Sequence, residues 1–153
     1  MAREAVHAGY TLSDDPGRID AAAVKAYLAR SYWADKRPAE VVETSLLNSG
    51  CVVIYAPSGP QVGLIRVVTD YATFAYLCDV YVLSEHRGKG LSKAGLAFVD
   101  SHPRLATVGR FILATRDAHS LYAQFGYIPL PSPERFMEKR TSAFSPIDFG
   151  RKG

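Results

Sequence analysis

Apolar positions along the chain follow two periods, and each period predicts one kind of element. Runs of branched and aromatic residues predict five β-strands, at residues 10–13, 51–56, 61–69, 74–83 and 110–115. Turn residues at 57–60 join the second and third runs, so these two strands are expected to form a hairpin. A last strand is expected at residues 134–139.

Apolar residues spaced three and four apart predict four helices, at residues 21–29, 38–48, 91–102 and 118–125. Pro38 suits the first turn of the second helix, and Asp117 is expected to cap the last one. Residues 141–153 show no clear element. The chain contains neither an internal repeat nor a low-complexity linker.

Composition narrows the class of protein. A chain of 153 residues with 48% hydrophobic and 22% charged residues is typical of one globular domain, here residues 1–153. Its net charge of +3 comes from scattered Lys and Arg, so nucleic acid is not indicated as a partner. The first residues form no apolar leader, and no stretch reaches the roughly 18 apolar residues of a membrane span, so we expect a cytoplasmic protein with no membrane partner. Two cysteines in predicted strands and four histidines without ligand spacing predict neither a disulfide nor a metal site.

The stretch HRGKGLSKAGLAFVD at residues 86–100 follows a predicted strand and consists of a short basic loop that runs directly into a predicted helix. The first N–H groups of a helix lack partners and carry the positive end of the helix dipole, so a phosphate is a natural ligand there. Arg87 and Lys89 would add positive charge, while Gly88 and Gly90 would let the backbone approach the anion. The alternative is an ordinary solvated turn.

Two motifs together resemble a known family over residues 10–139. Arg87-Gly88-Lys89-Gly90-Leu91-Ser92 resembles the coenzyme-binding signature of the GNAT N-acetyltransferases, with serine at a position that is glycine or alanine in the signature. The sequence HSLYAQFGY at 119–127 resembles the second marker of the family, a tyrosine, Tyr122, on a short helix before a Phe-Gly-aromatic turn. The two motifs occur in the family's order on consecutive strand-helix units.

This resemblance implies an α/β (α+β) fold, with a mixed, mostly antiparallel sheet of about six or seven strands flanked by about four helices. The sheet would splay between the strands ending at Leu83 and Thr115, and acetyl-CoA would bind in the splay. Backbone N–H groups would hold the diphosphate and the pantetheine arm. The residues that the resemblance assigns to the coenzyme are Val80, Tyr81, Val82, Arg87, Gly88, Lys89, Gly90, Leu91, Ser92, Thr115, His119 and Ser120.

The resemblance also implies the chemistry. Tyr122 would act as the general acid for the leaving thiolate, although it could instead be one member of an apolar helix stripe. Asp79 is a candidate base because it is an ionisable residue in an apolar strand. Strand alternation puts Asp79 on the face opposite Cys78, so Asp79 would be structural if the acceptor lies on the Cys78 face. Asp70, Glu85 or a water chain are other possible bases.

The acceptor pocket of the family is lined by the segment between the first two helices, RSYWADKRP in this chain. Tyr32 and Trp33 could pack an apolar or cationic acceptor, and Arg37 could pair with a carboxylate. Alternatively, Trp33 only closes the core. The expected activity is direct acetyl transfer from acetyl-CoA to a small-molecule or protein amine, by a monomer or a homodimer. A non-catalytic acyl-CoA-binding module of the same fold is the alternative function.

Overall fold

The computed structural model of the protein describes residues 1–143, in which six strands form one mixed sheet. Their order in the sheet follows the chain. All neighbouring strands are antiparallel except the last two, which are parallel. The strands are β1 (Glu4–His7), β2 (Tyr10–Ser13), β3 (Gly50–Tyr55), β4 (Gln61–Thr69), β5 (Ala75–Val82) and β6 (Phe111–Leu113).

Four α-helices accompany the sheet in the described residues, so the predicted fold class is confirmed. They are α1 (Ala21–Leu28), α2 (Ala39–Leu47), α3 (Leu91–Asp100) and α4 (His119–Ala123). Asp20 caps α1 by accepting a hydrogen bond from the backbone N–H of Ala23 at 3.0 Å. Among residues 1–143, no helix is both long enough and apolar enough to cross a membrane.

The core lies on both faces of the sheet. Helices α1 and α2 cover one face with Val24, Leu28, Val42 and Leu46. Helix α3 covers the other face with Leu91, Leu96, Phe98 and Val99. The packing of α3 is close, because a Cβ at Gly95 would lie 2.6 Å from the Cδ1 atom of Ile65 in β4. The absence of a side chain at Gly95 thus lets the middle of α3 lie close against the sheet.

Three local expectations were wrong. Residues 134–139 form no strand; a short helical turn spans Pro133–Arg135, and the following residues are exposed and irregular. The edge offered by β6 is only three residues long, and the approaching chain carries prolines at 129, 131 and 133, which cannot donate to a ladder. Residues 144–153 of the predicted tail lie outside the described residues.

The other two errors concern β1 and the cap of α4. Strand β1 was not predicted, because all four of its side chains are exposed and it shows no apolar alternation. It forms because it pairs with β2. Asp117 does not cap α4; instead, the hydroxyl of Thr115 accepts a hydrogen bond from the Ala118 N–H at 3.0 Å.

Candidate active site

The sheet opens between β5 and β6. These two strands pair only from Ala75 with Phe111 to Leu77 with Leu113. Beyond Leu77, β5 continues to Val82 with no strand partner on that side among residues 1–143. A pocket of about 370 Å³ lies in the opening. The predicted splay between these strands is therefore present, and the backbone of Val80–Val82 lines it.

A β-bulge shapes β5 beside this pocket. Leu64 of β4 pairs with Tyr81, whereas Arg66 pairs with Cys78, so β5 carries one extra residue between the two pairs. Asp79 lies in the bulge with a φ of 50°, a left-handed conformation that is uncommon for a residue other than glycine. Arg66 is the register partner of Cys78 and also binds Asp79. The strict alternation expected between Cys78 and Asp79 is wrong, because the bulge interrupts it.

The Asp79 carboxylate is nearly buried and accepts three hydrogen bonds. One oxygen accepts from the indole N–H of Trp33 at 2.8 Å, and the other accepts from Arg37 at 2.9 Å and from Arg66 at 2.8 Å. Burial by itself raises the pKa of Asp79, but the charges of Arg66 and Arg37 and the hydrogen bonds outweigh it, so the pKa lies below its usual value. Both oxygens of this weakly basic carboxylate are occupied. The geometry therefore argues against Asp79 as the general base and for a role in positioning Trp33 and Arg37.

The looser candidates for a base lie elsewhere. Asp70 is in the turn between β4 and β5, where it accepts hydrogen bonds from Thr73 and neighbouring backbone N–H groups. These bonds hold its pKa well below the usual range. Glu85 lies in a short helical turn after β5, Ser84–His86. The turn that contains Asp70 precedes β5, whereas the sheet opens beyond Leu77 near the other end of this strand, so the structure does not bring Asp70 to the site.

Tyr122 lies in the wall of the pocket, on α4. Its side chain is buried at 8% exposure, and its ring packs edge-on against Tyr127 with the ring centroids 5.8 Å apart. Burial, followed by the neighbouring Tyr32, raises the pKa of Tyr122 to about 12. Among residues 1–143 its hydroxyl has no hydrogen-bond partner. Tyr122 is therefore protonated at neutral pH and has a free hydroxyl at the pocket, as a proton donor requires.

The basic loop lies at the start of α3, beside a smaller pocket of about 200 Å³. Gly88 and Gly90 have φ values of 78° and 73°, and in the described part of the chain no side chain caps α3. Space is open around Gly88, whereas a Cβ at Gly90 would lie 3.3 Å from the His7 ring. The uncapped helix start and the exposed glycine backbone fit the anionic diphosphate of a coenzyme.

Contacts from other elements hold the loop in place. The His7 ring nitrogen Nε2 lies 2.9 Å from the carbonyl oxygen of Lys89, and the Tyr10 hydroxyl lies 2.7 Å from Nδ1 of His86. Arg87 donates from Nε to the carbonyl of Val82 at 3.0 Å. The loop is thus fixed to the end of β5 and to the unpredicted strand β1.

The structure brings most of the predicted site residues together. The larger pocket is lined by predicted residues from all three groups, coenzyme, catalytic and acceptor: Tyr32, Trp33, Arg37, Asp79, Val80, Tyr81, Val82, Arg87, Ser92, Thr115 and Tyr122. Gly88, Gly90 and Leu91 line the smaller pocket beside the loop. His119 lines a third pocket next to Thr115 and Tyr122. Lys89 and Ser120 are exposed, and the Ser120 carbonyl accepts a hydrogen bond from Gln124.

Arg66 is a site residue that the sequence analysis missed. It lies in β4 and lines the pocket, where it binds Asp79 and also donates to the Ser49 hydroxyl at 3.1 Å. The available signal was the same one that marked Asp79, an ionisable residue inside an apolar strand. Tyr27 was also missed; its ring stacks on Tyr81 with the centroids 3.7 Å apart. On the helix α1 this tyrosine had no feature that separated it from a core residue.

The comparisons with known proteins assign the family. Residues 48–129 match the family model of the acetyltransferase (GNAT) domain. This match covers more than half of the chain, so the chain belongs to the GNAT acetyltransferases. Members of this family are acyltransferases that generally use acetyl-CoA.

Individual relatives agree with this assignment. A crystal structure of a candidate GNAT acetyltransferase from Xanthomonas campestris is 40% identical, covers 90% of this chain and 97% of its own, and superposes with a TM-score of 0.85. A candidate acetyltransferase of Gibberella zeae is 36% identical over an alignment of 100 residues, and the match covers 53% of this chain and 56% of that protein. The match thus spans little more than half of the Gibberella protein. Glucosamine-6-phosphate N-acetyltransferase from Arabidopsis thaliana shares the fold alone. It is 14% identical, covers 93% of this chain and 97% of its own, and has a TM-score of 0.60.

Proposed function

We propose that this protein transfers the acetyl group of acetyl-CoA directly to an amine. The observation that carries the proposal is the shared pocket, in which the open edge of β5, the Tyr122 hydroxyl and the segment around Trp33 and Arg37 meet. When bound, acetyl-CoA supplies an acetyl group activated as a thioester. Direct transfer then needs only two groups in one enclosed space, the thioester and the acceptor amine.

The residues of the chain have distinct tasks in this reaction. The backbone of residues 87–92, which spans the loop and the first residues of α3, binds the diphosphate. Unpaired N–H groups in Val80–Val82 orient the pantetheine arm and the thioester, and stabilise negative charge on the carbonyl oxygen as the amine attacks. As the carbon–nitrogen bond forms and the carbon–sulfur bond breaks, Tyr122 gives its proton to the departing sulfur. The proton of the amine leaves to solvent, because Asp79 is already occupied by its three donors, and solvent returns a proton to the Tyr122 phenolate.

Acidity sets one requirement on this scheme. With a pKa of about 12, Tyr122 is a weaker acid than the leaving thiol, whose pKa is about 8.5 if it resembles cysteine. Complete proton transfer to the free thiolate is therefore uphill, so Tyr122 assists by donating to the sulfur while negative charge develops on it. The amine must be neutral when it attacks, so the rate should rise with pH until the acceptor is deprotonated. A monomer or a homodimer, a cytoplasmic location and a small-molecule or protein acceptor stay predictions.

The test is amine-dependent release of free coenzyme A. The protein is incubated with acetyl-CoA and a panel of amines, thiol is measured with a chromogenic disulfide, and the acetylated amine is identified by mass spectrometry. Reactions without amine and with heat-inactivated protein are the controls. Acetyl-CoA binding by calorimetry without turnover of any amine would instead favour the non-catalytic module. Failure to bind acetyl-CoA would overturn both functions.

A further inference from the structure

The acceptor end of the pocket carries unequal charge. We use this name for the part formed by Tyr32, Trp33, Arg37, Arg66 and Asp79. Arg37 and Arg66 donate to the same oxygen of Asp79, and their side chains are only 22% and 12% exposed. Two guanidinium groups thus share one carboxylate, which leaves one positive charge in excess, because the other carboxylate that lines the pocket, Asp117, pairs with Arg116 at 3.8 Å. Charges that are mostly withdrawn from water are weakly screened, so this excess attracts an anion.

Arg37 has donors to spare at this end. A guanidinium carries five N–H donors in a fixed fork. Within residues 1–143, the hydrogen bonds of Arg37 use one of them, on Nη1. Arg66 uses Nε for Asp79 and Nη1 for Ser49. Both side chains line the pocket, so a bound carboxylate can complete the hydrogen bonding of Arg37.

Two of the aromatic walls are already engaged by the protein's own groups. The ring of Tyr32 is covered on one face by the guanidinium of Arg116, whose central carbon lies 3.8 Å from the ring centroid. The ring of Tyr27 is stacked on Tyr81. One face of each of these two rings is thus occupied, and the excess positive charge opposes a second cation.

We propose that the acceptor is an amine that also carries a carboxylate, which Arg37 binds with support from the charge of Arg66. This inference rests on the proposed function and names the class of its substrate. Asp79 acts here as a positioning residue, because it holds both guanidinium groups and the Trp33 indole at the pocket. One excess positive charge matches one carboxylate better than a phosphate, which carries about −1.5 to −2 charges at neutral pH.

The experiment compares matched amines in the thiol-release assay. The probes are glycine, β-alanine, γ-aminobutyrate and lysine, each against its carboxamide, together with butylamine, putrescine, ethanolamine and phosphoethanolamine. Because a carboxamide lowers the pKa of a nearby amine, kcat/KM is calculated on the neutral amine. We expect at least one carboxylate to exceed its carboxamide by roughly 10- to 100-fold, the effect of one charged hydrogen-bonded contact.

Variants test whether Arg37 causes this preference. Arg37→Gln should reduce the carboxylate-to-carboxamide ratio to within about threefold of one, whereas Arg37→Lys should retain part of it because the charge remains. Arg110→Gln is the matched control, because Arg110 lies over the Phe136 ring and is not among the residues lining the pocket. It should keep the parent ratio.

The outcomes separate the two proposals. Carboxamides, putrescine or butylamine used as well as the carboxylates would overturn the carboxylate class but leave the acetyltransferase function intact. A preference for phosphoethanolamine over every carboxylate would also overturn it. An unchanged ratio in Arg37→Gln would reject Arg37 as the ligand. Turnover of none of these amines, with acetyl-CoA bound, would overturn this inference, whereas the proposed function is overturned only if the wider amine panel also shows no turnover.

Discussion

Asp79 shows how one buried carboxylate can hold several residues of a pocket in place. Its carboxylate is 2% exposed and is ionised because Arg37 and Arg66 surround it. An ion pair of this kind contributes little net stability compared with an apolar replacement, but removal of one partner leaves the others buried without compensation. The side chain therefore controls where three pocket residues lie.

Replacement of Asp79 by Asn should expose this role. Asp79→Asn leaves the two guanidinium groups with no carboxylate, so the free energy of unfolding should fall by about 3–5 kcal/mol at pH 7. Because the pKa of Asp79 is lowered in the folded state, its contribution is complete above about pH 4 to 5 and is lost as the pH falls through the folded pKa. Urea unfolding followed by circular dichroism at neutral and acidic pH measures the difference.

The control for this variant is Asp35→Asn. Asp35 is exposed in the same segment between α1 and α2, so its replacement should change the free energy of unfolding by no more than about 0.5 kcal/mol. The gap between parent and Asp79→Asn should narrow as the pH falls below about 4. A gap that is constant with pH would show that the carboxylate charge is not what stabilises this site.

Tyr122 can be tested by removal of its hydroxyl alone. Tyr122→Phe keeps the ring, and the hydroxyl has no partner within residues 1–143, so the free energy of unfolding should change by less than about 1 kcal/mol. Loss of the proton donor should lower kcat roughly 10²- to 10⁴-fold, while the Kd of acetyl-CoA stays within a few-fold. Tyr127→Phe is the matched control on the neighbouring ring and should retain the parent kcat.

The pH profile gives a second measure of Tyr122. Its pKa of about 12 means that deprotonation of this side chain cannot lower kcat between about pH 8 and 10. A descending limb in that range that disappears in Tyr122→Phe would contradict the raised pKa. An unchanged kcat in the variant would reject the donor role.

At the scale of elements, most of the features that suit a bound coenzyme lie in one unit, formed by β5, the basic loop and α3. The bulge changes the direction of β5 side chains, the unpaired edge beyond Leu77 exposes backbone N–H groups, and the uncapped start of α3 lies directly after the loop. Gly95 allows α3 to pack against Ile65, so the helix axis is held close to the sheet. The position of the loop therefore follows from the packing of the helix behind it.

A pair of variants at Gly90 tests whether this loop binds an anion. Gly90→Glu and Gly90→Gln introduce equal bulk at a φ of +73° and the same approach to His7, but only Glu adds negative charge. Both should bind acetyl-CoA more weakly than the parent, and Glu should be weaker than Gln by at least about tenfold. Isothermal titration calorimetry with acetyl-CoA measures both.

The matched control for these variants is Gly59→Glu. Gly59 also has a positive φ, +109°, but it lies in the β3–β4 hairpin with open space around it. Gly59→Glu should bind acetyl-CoA as tightly as the parent does, even if the substitution lowers the free energy of unfolding. Equal affinities of Gly90→Glu and Gly90→Gln would show that the loop does not bind the charged part of the ligand.

At the scale of the whole molecule, the pocket unites parts of the chain that are distant in sequence. It draws on the segment between α1 and α2, on β4 and β5, and on the region from Ala114 to Tyr122. Strand β1 adds a contact to the loop through His7. Because these parts meet only in the folded chain, a ligand in this pocket binds the folded state and stabilises it by mass action.

Acetyl-CoA should therefore raise the melting temperature of the protein. At a free concentration about 100 times its Kd, a ligand specific for the folded state adds about 2.7 kcal/mol, which corresponds to roughly 5–10 °C for a chain of this size. Differential scanning fluorimetry measures the shift. Gly90→Glu should show a much smaller shift at the same concentration, and a full shift in that variant would contradict binding at the loop.

The sequence by itself determined the order of the elements from β2 to α4 and the two motifs, because these depend on neighbours within a few turns of the chain. Apolar periodicity predicted β2 to β6 and all four helices, and the residues of the arginine-glycine loop were enough to predict an anion as its ligand. Apolar periodicity could not predict β1, because the side chains of this strand are exposed and show no apolar pattern. The strand forms only because it pairs with β2.

Only the tertiary structure decided what Asp79 does. From sequence, an acidic residue in an apolar strand is equally a base or a buried ion, and strand alternation placed it opposite Cys78. The bulge and the pairing of β4 with β5 bring Arg66 to the same carboxylate, and the segment before α2 brings Arg37 and Trp33. These partners are 13, 42 and 46 residues away along the chain. Protonation and hydrogen bonding depend on neighbours in space, which local sequence patterns do not specify.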